Sequence, residues 1–140
     1  VLWSFQTVHH DLWDYDVAAQ PILTQIPRAG SDVPAVLVGT KTGLLFVLDR
    51  LTGVPLNRVV EQSVPASDLN GETAWPTQPV SDDLPRLHPW ILTRDSAFGI
   101  SNADKRLCRE WIARLRFQGT FTPPSSTGTI VWPGFWGGIN

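Results

Sequence analysis

Hydrophobic and polar positions alternate over residues 1–8, with Leu2, Trp3, Phe5 and Val8 apolar, and predict a strand. The polar run His9-His10-Asp11-Leu12-Trp13-Asp14-Tyr15-Asp16 predicts a loop, since so many acids and histidines cannot all enter a ladder. A short extended piece follows near Ala19–Thr24. Ser31-Asp32 and Pro34 then introduce the buried strand Ala35-Val36-Leu37-Val38-Gly39. Lys41-Thr42-Gly43 is a turn, Leu44–Asp49 the returning strand, and Leu51-Thr52-Gly53 turns the chain again into Val54–Val60. Residues 1–60 thus predict one four-stranded antiparallel blade, a meander too flat to bury both faces without neighbours.

Residues 61–100 lose all periodicity. Pro65, Pro76, Pro79, Pro85 and Pro89 interrupt every run, which predicts an irregular insertion pinned by Trp75 and Trp90. A helix over 101–117 comes next, with Ser101 as cap and Asp104 completing a capping-box spacing. Leu107, Cys108, Trp111, Ile112 and Leu115 recur at helical spacing and predict a face packed on the sheet. Gly119 and Pro123-Pro124 stop it. Thr129-Ile130-Val131-Trp132 begins what residues 128–140 predict to be the next blade, kinked at Pro133-Gly134.

Composition narrows the class. With 12 Pro and 11 Gly in 140 residues a helix bundle is disfavoured, and short strands joined by turns are favoured. A single Cys108 forbids an internal disulfide framework or a multi-Cys zinc site. The net charge of −2, with Arg106, Arg109, Arg114 and Arg116 on one helix as the only basic concentration, gives no nucleic-acid footprint. No apolar run reaches the roughly 18 residues of a membrane span. The absence of Met, at position 1 as elsewhere, and the abrupt strand-like opening predict a piece excised from a longer chain.

One motif has a specific logic. In Asp49-Arg50-Leu51-Thr52-Gly53, Asp49 and Thr52 can bond across the turn and Gly53 supplies a permissive backbone. Asn57 follows at the position where a tryptophan would dock, and Trp3 occupies the same place one blade earlier. Asp-x-x-Thr-Gly followed by Trp is similar to the tryptophan-docking motif of quinoprotein dehydrogenases, and Asn57 departs from it. The runs Trp3–Asp16 with Ala19-Gln20-Pro21, Lys41–Arg50, Pro76-Thr77-Gln78-Pro79, Phe121-Thr122-Pro123-Pro124 and Trp136-Gly137-Gly138-Ile139 resemble the membrane-bound glucose dehydrogenase branch in the family's order.

That resemblance implies a fragment of an eight-bladed β-propeller, mainly β, with an irregular insertion and one α-helix. It implies oxidation of glucose or a related aldose or polyol by pyrroloquinoline quinone (PQQ), with calcium or magnesium and with electrons passed to ubiquinone. The location implied is the periplasmic side of the inner membrane. Residue by residue, it places the proton-abstracting carboxylate on Asp14. The lysine that bonds the quinone oxygens falls on Lys41, 27 positions on.

The residues themselves leave alternatives open. Asp14 beside Trp13 suits a base walled off from water, yet an aspartate leaving a strand is as readily a turn or cap. Lys41 is a compact donor for a developing oxyanion or simply a solvated hairpin tip. Trp136 and Gly137 bring an indole and bare backbone to the cofactor's edge, or make a strand-entry bend. His9 and His10 point opposite ways on an extended chain and predict a structural support for Asp14 rather than a metal site. His88 has no evident partner, and Cys108 sits at a helix core position.

A non-catalytic propeller module is the alternative reading, opposed by retention of both Asp14 and Lys41. A serine acylase, suggested by Lys41-Thr42-Gly43, fails for want of a Ser-x-x-Lys partner. The isolated chain, holding about one blade, is expected to be inactive, to bind quinone weakly or not at all, and to self-associate through open strand edges.

Overall fold

A computed structural model describes residues 1–138, so the last part of the expected next blade, 139–140, lies outside the described residues. The elements are strands β1 (Ile22–Arg28), β2 (Ser31–Gly39), β3 (Leu45–Asp49), β4 (Val59–Ser63) and β5 (Thr77–Ser81), then helix α1 (Asn102–Arg114). These five strands pair antiparallel: β1-β2-β3 form one sheet and β4-β5 a second. The mainly β organisation with a single helix is therefore present.

The β2–β3 hairpin forms where apolar alternation and turn chemistry agree. Its turn closes through Gly43 N–H to the Thr40 carbonyl at 2.8 Å, with Gly43 at φ 75°, a left-handed value that glycine takes without strain. Along β3, Phe46 and Leu48 point inward and are buried. They meet Val36 of β2, Val80 of β5 and the aromatic residues Trp13, Tyr15, Trp90 and Phe121 in a single core.

The turn at 49–53 forms as its residues dictate. Asp49 Oδ1 accepts the N–H groups of Leu51 and Thr52 at 2.8 and 2.9 Å, and these donors hold its carboxyl below the usual carboxylate range. Trp3 docks on this turn. Its indole N–H donates to the Arg50 carbonyl at 3.0 Å, and its ring lies so close that a Cβ on Gly53 would stand 2.5 Å from it.

Several local expectations differ. Residues 1–8 form no strand; Trp3, Phe5 and Val8 are used as plugs instead, Phe5 standing 5.2 Å from Phe46. Val54–Val60 does not run on as a full fourth strand. It touches β3 in one bridge, Leu48 opposite Pro55, and the ladder goes no further because the Val47 N–H that would continue it bonds the Asn57 side chain. Asn57, in place of the docking tryptophan, accepts the Val47 N–H at 2.8 Å and donates to Ser81 Oγ at 3.0 Å, and the chain leaves to pair β4 with β5. That hairpin falls largely inside the stretch expected to be irregular. Trp90 does pin the segment from within the core, whereas Trp75 is half exposed.

The helix begins as expected. Ser101 Oγ accepts the Asp104 N–H, and Asp104 accepts the Ser101 N–H in return. It stops at Arg114 rather than 117 because Arg116 pairs instead with Gly128 and Ile130, through a parallel bridge to Thr129. Residues 129–132 make that bridge and no strand. The expected packing of α1 on the sheet is absent: no residue of α1 is buried, and Trp111 is 60% exposed. The place it would fill beneath the strands is taken by Trp13, Tyr15 and Trp90, whose rings surround Phe121 at 5.4 to 6.1 Å. Among the described residues no helix is long and apolar enough to cross a membrane.

Candidate active site

The polar loop 9–16 is bonded at nearly every residue. Gln78 grips the backbone of His9, accepting its N–H at 2.8 Å and donating to its carbonyl at 2.7 Å. His9 Nε2 lies 3.0 Å from Glu61 Oε1 and His10 Nε2 3.4 Å from Glu72 Oε1. Asp11 Oδ1 accepts the Trp13 N–H at 2.9 Å, a local turn. Trp13 is buried, and its indole donates to the Thr122 carbonyl at 2.7 Å. Tyr15, fully buried, donates to the Trp132 carbonyl at 3.1 Å, and burial pushes its phenol well above the ordinary value, so it stays a neutral donor. The two histidines therefore serve as supports of the loop, each on its own glutamate.

Between these anchors Asp14 takes a left-handed backbone (φ 63°), uncommon for a residue with a side chain. Trp13 and Tyr15 on either side fill the core while the Asp14 carboxylate turns outward. Its side chain is 69% exposed. Trp13 thus does not wall water away from Asp14, because its ring is committed to the core against Tyr15 and Phe121.

Lys41 comes to this loop from the β2–β3 turn. Its side chain is only 10% exposed, and its ammonium donates to the Asp14 carbonyl at 2.9 Å, to Asp14 Oδ2 at 3.2 Å and to Asp16 Oδ1. It is no solvated hairpin tip. The bond to Asp16 raises the ammonium above the ordinary lysine value against the opposing pull of burial, and Asp14 adds to it.

The turn bearing Lys41 is itself clamped. The Thr42 carbonyl receives the Trp90 indole N–H at 2.8 Å and faces His88 Nε2 at 2.6 Å, so the proline-rich segment supplies the partner that His88 lacked on paper. Gly138 N–H donates to the Lys41 carbonyl at 2.9 Å. A Cβ at Gly137 would stand 2.6 Å from the stem of Lys41, so only a glycine lets this backbone lie there. Trp136 beside it is 72% exposed.

The fold therefore brings Asp14, Lys41 and Gly137 together and leaves Trp136 at the rim. Sequence reasoning missed Asp16 and Gln78. Asp16 had only a weak signal, its place two residues from Asp14 within the same acidic loop. Gln78 had none beyond its place in Pro76-Thr77-Gln78-Pro79.

The residues fit an anionic quinone in one respect. The Lys41 ammonium, with glycine backbone against its stem, would offer a donor to a quinone oxygen in exchange for one of its three bonds to Asp14 and Asp16. They do not offer calcium or magnesium a cage, since Asp14 and Asp16 both spend an oxygen on Lys41, and no three His, Cys, Asp or Glu side chains converge among the described residues.

An antiparallel β domain with a carboxylate outside its core and a buried ammonium behind it defines a class: a β scaffold carrying an acid–base pair. The comparisons make the class specific. The family described as "PQQ: Glucose/ethanol/alcohol dehydrogenase, beta-propeller domain" matches residues 1–140, and the chain belongs to that family. The chain is 44% identical over 151 aligned residues to quinoprotein glucose dehydrogenase A of Acinetobacter calcoaceticus, covering all of this chain and 19% of that protein. It is 42% identical over 139 residues to a probable quinate dehydrogenase (quinone) of Xanthomonas campestris pv. juglandis, covering 99% of this chain and 18% of the relative. To the glycerol dehydrogenase large subunit of Gluconobacter oxydans it is 41% identical over 139 residues, 97% of this chain and 19% of the relative. The chain thus spans less than a fifth of the length of the curated relatives it matches. No solved structure matches it significantly.

Proposed function

We propose that this chain supplies the proton-accepting carboxylate, Asp14, and its ammonium partner, Lys41, to a PQQ-dependent dehydrogenase oxidising glucose or a related aldose or polyol. The observation that carries the reading is the contact of one buried ammonium with both the carbonyl and the carboxylate of Asp14, at 2.9 and 3.2 Å. The substrate class is supported by the relatives' names, which specify glucose, quinate and glycerol.

Asp14 accepts the proton of the substrate hydroxyl. Its exposed carboxylate can meet a hydroxyl from outside, and one oxygen, Oδ1, makes no hydrogen bond among the described residues. Lys41 holds the carboxylate in place, and its bond to the Asp14 carbonyl offsets the cost of the left-handed backbone. A bound quinone would supply the acceptor for the hydride of the substrate carbon. Lys41 is the residue that would hold a quinone oxygen, from the same ammonium that contacts Asp14 and Asp16. Gly137 and Trp136 border the same edge.

The reading extends to ubiquinone as electron acceptor, supported by the word "quinone" in the name of the Xanthomonas relative, and to the periplasmic side of the inner membrane, which rests on the sequence resemblance alone. Self-association is supported by β1, an edge strand with Ile22 and Leu23 each 63% exposed.

The test is quinone-dependent dye reduction by the full-length protein that carries this segment. Asp14→Asn keeps the carbonyl that Lys41 grips and removes the base, so the rate should fall about 10²- to 10⁴-fold with quinone content unchanged. An undiminished rate removes Asp14 from the mechanism.

A further inference from the structure

We infer that Gln78, on β5 and away from the reacting groups, is a positioning residue that sets where Asp14 stands. The inference rests on the reading of Asp14 as the base. Gln78 is fully buried, and both halves of its amide are spent on one residue: Oε1 accepts the His9 N–H at 2.8 Å and Nε2 donates to the His9 carbonyl at 2.7 Å. A side chain here does what a neighbouring strand would do for an edge, across 69 positions of sequence. The amide's orientation is fixed by this pairing, since the flipped form would set donor against donor and acceptor against acceptor.

The path from His9 to Asp14 is short and stiff. His10 is left-handed at φ 41°, Asp11 closes a turn on Trp13, and Asp14 is left-handed at φ 63°. Lys41 and the Trp13 indole fix the far end of this path. Gln78 fixes its near end. The other links from the β4–β5 side, His9 to Glu61, His10 to Glu72 and the His9 ring against the half-exposed Trp75 at 5.7 Å, are open to solvent and weaker. Val80, two positions on, carries the apolar packing of β5 into the core cluster. Gln78 is buried as well, so its polar contribution to the loop lies in the two amide bonds to His9.

Two substitutions separate positioning from packing. Gln78→Met keeps the length and volume but leaves the His9 N–H and carbonyl without partners. Gln78→Glu keeps an acceptor but loses the donor, which it regains only when protonated; a neutral carboxylic acid offers one O–H and one C=O, as the amide offers N–H and C=O. In the full-length, PQQ-loaded protein, Gln78→Met should lower kcat on the order of ten- to a hundredfold, with KM and quinone content unchanged. Gln78→Glu should be impaired at neutral pH and recover toward wild type, relative to wild type at each pH, as a buried carboxylate takes up its proton. Hydrogen exchange in a peptide spanning residues 5–12 should quicken in Gln78→Met.

An unchanged kcat in both variants overturns the proposal, as does a loss without pH-dependent recovery in Gln78→Glu. Failure of Gln78→Met to fold leaves the pH profile of Gln78→Glu to decide alone. The exchange measurement also stands apart from catalysis. If Asp14→Asn proves fully active, the base assignment falls, while unaltered exchange near His9 in Gln78→Met independently overturns the grip of Gln78.

Discussion

The loop from His9 to Asp16 and helix α1 are opposite cases of how sequence becomes structure. The helix announces itself: a capping box at Ser101 and Asp104, then apolar residues at helical spacing, and it forms where expected. Yet none of its residues is buried, and the secondary-structure element it meets most is the short 3-10 turn at Arg94–Ser96, where Arg109 meets Asp95 at 2.9 Å. The loop has no periodicity at all. It is nevertheless tied at residues 9, 11, 13, 14, 15 and 16, to partners as far as 117 positions away. Local patterns decide which element forms. Long-range bonds decide where chemistry can be held still.

The largest effect should separate the two regions by stability. Phe46 is fully buried under the loop's aromatic cluster, and Phe46→Ala should cost about 3–5 kcal/mol in denaturant unfolding of the full-length protein. Trp111→Ala on the exposed face of α1 should cost less than about 0.5 kcal/mol. Equal costs would break the contrast and show that α1 is covered in the longer protein.

A smaller effect should separate them by pH, in opposite directions. Lys41 has its folded pKa raised above the ordinary 10.5. Its contribution is complete below that value and is lost as pH rises through the raised one. Asp104 has its folded pKa lowered from 3.8 by the Ser101 side chain and backbone. Its contribution is complete above that value and is lost as pH falls through the lowered one. Alkaline titration should therefore loosen the loop first, read by the fluorescence of buried Trp13, and acid should fray α1 first, read by helical circular dichroism. Loss of both signals together at either extreme would mean that the two regions are not independent.

Much of the scaffold was legible because its determinants are local. Asp49, Thr52 and Gly53 specify their turn by chemistry within five residues, and the apolar runs of β2 and β3 specify their hairpin. The site was legible in part: the family resemblance placed Asp14 and Lys41 on paper, and the fold brings them into contact. What stayed hidden depends on distance. Nothing around Val59 or Thr77 announces that these segments pair, least of all with Pro79 inside β5. The alternation of residues 1–8 looks like a strand and serves as a row of plugs. The apolar face of α1 reads as a packing surface, and only the aromatic cluster beneath the strands reveals that its place is taken. Gln78 looks like one more polar residue between prolines until its amide is seen on the backbone of His9.

The central claim is that Asp14 and Lys41 act as one unit, and a double-mutant cycle on kcat tests it most directly. Asp14→Asn, Lys41→Met and the double variant would be measured in the full-length, quinone-loaded protein. The contact between the two residues predicts that the double variant loses about tenfold or more less than the product of the two single losses. Losses that simply multiply would contradict it and separate the carboxylate from the ammonium behind it.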